Sequence, residues 1–159
     1  MASAPDKISA DDMLGDDALA AIYNRRLLDL AAGAETPLRL ENADTSARVV
    51  SPICGSDVTV DLMLDADGRV TDFGFAVKAC ALTKSVVSVM RGAIIGKTRA
   101  DIAAAGQALE NMLDGVAGAD ALPADWAALD LLAPVRDYPA RHNAVLLPFE
   151  AAEKAFTQK

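Results

Sequence analysis

An α+β domain is expected from three features of the chain. Helical periodicity precedes residue 33, two alternating runs meet at an Asp-Gly turn, and helical spacing covers almost everything after Val77. The architecture predicted is a small three-stranded antiparallel sheet covered on one face by helices. With 159 residues the chain has the usual size of one domain. Residues 1–18, polar and acidic with little to bury, are read as a flexible N-terminus and 19–159 as the folded domain.

The first helix is carried by Leu19, Ile22, Tyr23, Arg26, Leu27 and Leu30, with Gly33 as its stop. Its modest apolar stripe suggests a lid or docking element. A short strand follows at Ala47, Val49 and Ser51, ending at Pro52. From Asp57 to Leu64, Val58, Val60, Leu62 and Leu64 face one way, and Asp57, Thr59, Asp61 and Met63 the other. Asp65-Ala66-Asp67-Gly68 turns the chain into Arg69–Val77, where Phe73, Phe75 and Val77 share a face. Asp-Gly between alternating runs is a strong hairpin signal, and the sheet should keep one wet face.

The next helix runs from Cys80 to Ile94, with Leu82, Val86, Val89, Met90 and Ala93 on its stripe and breaks at Gly92 and Gly96. A second spans Thr98–Leu113, with Thr98 as cap and Asp101 closing an acidic form of the capping box. Gly115–Ala121 is a linker. Pro123 opens a short helix through Leu132 that carries Trp126 and Leu129, and Ala133-Pro134 breaks it. A last helix covers about Arg141 to Phe156, with Val145, Phe149, Ala152 and Phe156 on one stripe. Pro148 within it predicts either a kink or a true start near Leu147.

Composition narrows the function. Apolar residues make up 52% of the chain and aromatics only 4%, so the core should be built of small side chains with closely packed helices. The net charge is −8, from 23 acids and 15 bases, with no basic run. That argues against a nucleic-acid partner, which needs a concentrated basic surface. An acidic surface favours solubility and could suit a basic protein partner. No apolar stretch reaches the roughly 20 residues that cross a bilayer, so no membrane association is expected. The opening MASAPDKISADDMLGDD lacks the basic flank and apolar core of a signal peptide. Two cysteines do not make a secreted disulfide framework, and a cytoplasmic protein with reduced thiols is expected.

The residues able to carry chemistry are few. Cys54 lies in the turn Pro52-Ile-Cys-Gly-Ser-Asp57, just before the best strand. Cys80 lies where the third strand gives way to a helix, whose free amides favour a thiolate. Both therefore sit at the ends of neighbouring elements, although two such thiols could equally be inert and buried. His142, the only histidine, precedes the last helix. Asp57 could add a carboxylate, or face water on the polar side of its strand. No CxxC is present, which argues against a thioredoxin-like couple. The stretch Arg91–Thr98 ends like a phosphate loop but has Arg91 where the first glycine belongs. A Cys–His nucleophile pair, Cys54 or Cys80 with His142, would lack an evident substrate pocket and oxyanion donors.

At these residues the sequence resembles the scaffold proteins for iron–sulfur cluster assembly, the IscU/NifU-like family, most closely its SufU-like branch. The resemblance is carried by Pro52-Ile-Cys-Gly55, the hairpin Val58–Val77, Lys78-Ala-Cys80-Ala-Leu82, Ile95-Gly-Lys-Thr98 and Pro134-Val-Arg-Asp-Tyr-Pro-Ala-Arg141. Ile22–Asp29 is similar to that branch's first helix, and the segment Leu113–Leu132 to its insertion. The match extends over about residues 19–156. It implies that Cys54 and Cys80 are the first two of three site cysteines. The third falls on Ala144, the family's aspartate on Ser56 and a histidine of the IscU branch on Asn143. Asp57 and His142 each lie one residue from those last positions.

The resemblance implies a scaffold rather than an enzyme. It would accept sulfur from a cysteine desulfurase, assemble a transient [2Fe–2S] cluster at Cys54 and Cys80, and pass it to apo-protein recipients. Asp57 and His142 are the candidate replacement ligands, since such a cluster takes four donors. Ligands from a partner, or from a second copy in a homo-oligomer, are a further option. The alternative is a zinc-binding accessory protein of the same fold, with Zn2+ held by Cys54, Cys80 and His142 or Asp57.

Overall fold

The computed structural model describes residues 22–158; Leu19 and the segment 1–18 lie outside the described residues. In order come α1 (Arg25–Ala32), β1 (Thr45–Val50), β2 (Asp57–Leu64), β3 (Val70–Lys78), α2 (Ala81–Ala93), α3 (Arg99–Leu113), 3₁₀ turns over Ala124–Asp137, and α4 (His142–Gln158). The expected α+β class is the one observed. The three strands form one antiparallel sheet in the order β1-β2-β3.

The alternation in β2 and β3 fixes which face is buried. Val58, Val60 and Leu62 are fully buried, and Phe73, Phe75 and Val77 join them from β3. Val60 is paired with Phe75 and with Ala47 across the two ladders. Burying an aliphatic side chain of this size stabilises by roughly 1.5–3 kcal/mol, so a one-residue slip in register would be costly. In the hairpin turn, Asp65 Oδ1 accepts from the amides of Asp67 and Arg69, each at 2.9 Å. Gly68 sits at φ +78°, a conformation that suits glycine.

The opposite face is less wet than the alternation predicts. Leu38 makes an antiparallel bridge with Phe75 on the outer edge of β3, and the following residues pass over Gly74. A Cβ on Gly74 would lie 2.7 Å from the Leu38 carbonyl and 2.8 Å from the Leu40 amide. Asp61, on this polar face, is only 1% exposed. Its carboxylate accepts two bonds from Arg39, at 2.6 and 3.0 Å, and one from the Leu40 amide at 3.1 Å. The Ser46 hydroxyl donates to it as well. A carboxylate on the expected solvent side thus pins a strap across it.

Helices cover the core face. Helix α4 packs on β1 and β2, α2 on α4 and α1, and α3 on α4. The helices come close because small residues line the contacts: a Cβ on Gly106 would lie 3.2 Å from the Phe149 ring. Trp126 fills the remaining space, its ring 5.3 Å from that of Phe149. The capping box foreseen at the start of α3 is present, with Thr98 and Asp101 capping reciprocally.

Several expectations require correction. Helix α1 begins at Arg25, because the Asn24 side chain accepts from the Leu27 amide and caps it there. It buries Leu27 and Ala31 against α2 and so belongs to the core, not to a lid. Strand β1 runs two residues earlier than Ala47 and stops short of Ser51. Helix α2 passes through Gly92 to Ala93. Ala133-Pro134 is no break, since the 3₁₀ turns continue through it to Asp137.

Pro148 does not start the last helix either: α4 begins at His142 and holds Pro148 in its interior. Proline has no amide for the carbonyl four residues back, that of Ala144. The Thr83 hydroxyl, from α2, donates to that carbonyl instead, at 2.8 Å.

Candidate functional site

The turn that carries Cys54 is closed by backbone and serine. The Gly55 amide donates to the Ser51 carbonyl at 2.9 Å and the Ser51 amide to the Ser56 carbonyl at 2.8 Å. Gly55 has φ +75°, and nothing lies within 4 Å of where its Cβ would be. Its glycine therefore serves the turn's conformation. The Ser51 hydroxyl accepts from the amides of Ile53 and Cys54, at 3.2 and 3.4 Å, and donates to the Asn143 side chain at the start of α4. Cys80 reaches the same region from the other side, as the N-cap residue of α2.

These two termini, with the start of α4, enclose a cleft of about 380 Å³. Cys54 and Cys80 both line it, and both are exposed. Tyr23, Lys78, Arg141 and Ala144 line it as well. Among the described residues no carboxylate lines this cleft. That departs locally from a chain whose net charge is −8.

The Cys54 sulfur is 3.1 Å from Ser56 Oγ. The thiol donates to that oxygen, and on ionisation the hydroxyl can turn its own proton to the thiolate. The Ser56 and then the Ser51 hydroxyls hold the Cys54 thiol below its ordinary pKa. Cys80 Sγ has the Thr83 hydroxyl 3.8 Å away and makes no capping bond to its helix. Thr83 thus touches one site thiol while it secures the Ala144 carbonyl on the opposite wall.

Arg141 is held by aromatic rings. Its guanidinium carbon is 5.7 Å from the ring centres of both Tyr23 and Tyr138. It also donates to the Tyr23 hydroxyl at 3.0 Å. Burial raises the pKa of Tyr23, the Arg141 charge opposes this, and a Cys80 thiolate would add to it. The guanidinium is a fixed positive charge with several donors, the kind of group that binds carboxylates.

The other two ligand candidates are elsewhere. Asp57 is paired with Arg48 through two bonds, of 2.9 and 2.6 Å, and this pairing holds its carboxyl below the usual range. His142 points its Nε2 at the carbonyls of Val135 and Arg136, at 3.0 and 3.3 Å. Its Nδ1 lies 3.9 Å from an Asp114 carboxylate oxygen. Neither residue lines the cleft, and among the described residues no three His, Cys, Asp or Glu side chains are grouped to hold a metal.

Sequence reasoning thus identified the two thiols and brought them to one place, but it passed over Lys78, Tyr23, Thr83 and the role of Ser51. The signal available for the serines was their spacing about Cys54, since Ser in a tight turn bonds its neighbours. Lys78 lies within the stretch Lys78–Leu82 that carries the resemblance, but nothing in that stretch marked it as lining the site; Thr83 lies just beyond it.

Comparison with known proteins gives a consistent picture. The family model described as the NifU-like N-terminal domain matches residues 22–145. The iron–sulfur cluster assembly scaffold protein IscU of Streptococcus pyogenes serotype M1 is 27% identical over 107 residues. That match covers 66% of this chain and 64% of the relative, so the chain spans less than two thirds of that protein's length. A nitrogen-fixing NifU-like protein (N-terminal) from Brucella abortus has a similar structure, with a TM-score of 0.81 and 40% identity over 89% of this chain and 96% of that one. A putative iron–sulfur cluster assembly scaffold protein for the SUF system from Fervidobacterium islandicum AW-1 follows, with TM-score 0.73 and 27% identity. It is covered over 98% of its length and covers 86% of this chain.

Proposed function

The chain belongs to the NifU-like N-terminal domain family, and from that membership we propose that it is a scaffold on which iron–sulfur clusters are assembled, with Cys54 and Cys80 holding the cargo. The observation that carries the reading is the convergence of the only two thiols, both exposed, on one cleft that holds Lys78 and Arg141 and that no carboxylate lines among the described residues. Thiolates are the proper ligands for iron–sulfur units. The cations offset the negative charge that thiolates, sulfide and persulfide bring. The similarity to relatives named as cluster assembly scaffolds supports the same reading.

On this reading a cysteine desulfurase supplies sulfur and apo-proteins receive the cluster. Cys54 is the better prepared acceptor, because the Ser56 hydroxyl beside it favours its thiolate. The Cys54 thiolate attacks the outer sulfur of the donor's persulfide. A new S–S bond forms on Cys54 as the donor's S–S bond breaks, and the donor cysteine leaves as thiolate. The outer sulfur keeps its proton, and nothing is oxidised overall. The chain's part is to bind, hold and release, not to turn over a substrate.

A resident zinc ion has less support. A closed zinc site takes four donors, and Asp57 and His142, the two candidates beyond the thiols, are both engaged outside the cleft.

The sulfur step is tested by incubating the chain anaerobically with a desulfurase and cysteine, then mapping mass increments of one sulfur atom onto the two cysteine peptides. Sulfur on Cys54, lost in Cys54→Ser, is expected. A chain whose thiols alkylate freely but never gain sulfur would contradict the reading.

A further inference from the structure

Resting on the scaffold reading, we propose that the cleft takes a small thiol bearing a carboxylate as an external ligand, which completes the donor set around the cargo. Among the described residues, too few donors face the cleft. The chain has two cysteines, whereas an iron–sulfur unit of the smallest common type takes about four protein-side ligands. Asp57 is clamped by Arg48, and His142 faces backbone carbonyls. Ser56, beside Cys54, offers a neutral hydroxyl already shared with that sulfur.

The cleft has the room and the charge for such a ligand. Its volume of about 380 Å³ is in the range of small-molecule sites. Its apolar lining includes Ala79, Ala140 and Ala144. Lys78 and Arg141 line it too, and no carboxylate does among the described residues. The Arg141 guanidinium is fixed between Tyr23 and Tyr138 and bonded to the Tyr23 hydroxyl. A carboxylate held by Arg141 would keep an attached thiolate in the same cleft as Cys54 and Cys80. A neutral thiol would lack that charge-assisted bond.

The test uses the full chain, loaded anaerobically with ferrous iron and sulfide in three arms: no added thiol, mercaptoethanol, or mercaptopropionate at equal concentration. Iron retained after gel filtration is measured, and native mass spectrometry reads any thiol adduct. Mercaptopropionate is expected to raise retained iron about fivefold or more over the other arms, with the added thiol visible in the mass of the loaded chain. Arg141→Gln should remove most of that advantage. Equal retention in all three arms overturns the proposal. If that retention is high and the loaded mass is that of two chains, the second copy supplies the ligands. Ala144→Cys and Ser56→Asp, each adding an internal donor from a different wall, separate the two levels. Should either hold iron and sulfide without added thiol while mercaptopropionate does nothing for the unaltered chain, the external ligand is wrong and the scaffold stands. Should neither variant nor any arm hold iron, both are wrong.

Discussion

Cys54 differs from an ordinary surface thiol by its neighbours. Ser56 places its hydroxyl 3.1 Å from the sulfur, and this bond first, then Ser51, lowers the thiol's pKa. The sign is that of any acid whose anion is stabilised: the thiolate persists to lower pH than usual. Ser56→Ala should therefore move the midpoint of Cys54 alkylation, followed peptide by peptide against pH, upward and leave the Cys80 profile in place. A Cys54 midpoint that stays put would show that Ser56 has no hold on the sulfur. Asp61 offers a second test of sign. Burial works to raise its pKa, but the bonds from Arg39, Ser46 and the Leu40 amide outweigh it, so the folded value lies below the unfolded one. Its contribution to stability is complete above the ordinary carboxylate value of about 4 and is lost as pH falls through the folded value. Urea midpoints of the parent chain should drop over that acidic window, and those of Asp61→Asn should drop less.

At the scale of elements, the chain's own pattern was most readable where it was local. The β2–β3 hairpin, its Asp-Gly turn and the capping box of α3 all follow from residues within a few positions of one another. The strap over the sheet was not readable that way, because Leu38 to Leu40 meet their partners through Asp61 and Gly74, far along the chain. Gly74 was the one cue: glycine inside a strand marks a close backbone approach. Gly74→Ala should displace the strap and destabilise the fold by about 1–3 kcal/mol in urea unfolding; a neutral result would mean the strap yields freely. Pro148 was legible as an anomaly, but its remedy was not, since Thr83 lies in another helix. Thr83→Val keeps the shape and leaves the buried Ala144 carbonyl without a donor, at an expected loss of about 1–3 kcal/mol. Thr83→Ser should restore most of it. Equal stability in the two variants would count against the hydroxyl's role.

On the scale of the whole molecule, small residues set the architecture and also shape the site. Glycine and alanine let α3 and α4 close on one another, and alanines line the cleft wall where bulkier side chains would fill it. The two thiols were legible as a site because each stands at the end of an element next to the sheet. Lys78 and Arg141 stood in stretches that carry the resemblance, but their place in the cleft was not legible, because a cation's spacing does not say what it lines. Asp57 and His142 read as ligands by chemical type, and the fold turns both elsewhere because each has a nearer partner. What results is an acidic molecule with one positively bordered pair of sulfurs. Whether this pair holds an iron–sulfur cargo is read from the iron and acid-labile sulfide bound per chain. Both are measured after anaerobic loading with ferrous iron and sulfide in the presence of a carboxylate-bearing thiol. Near-equal iron and sulfide, approaching about two of each per chain or per pair of chains and abolished in Cys54→Ser/Cys80→Ser, is the result expected. Iron and sulfide that stay absent, or that bind equally well to the double variant, would contradict it.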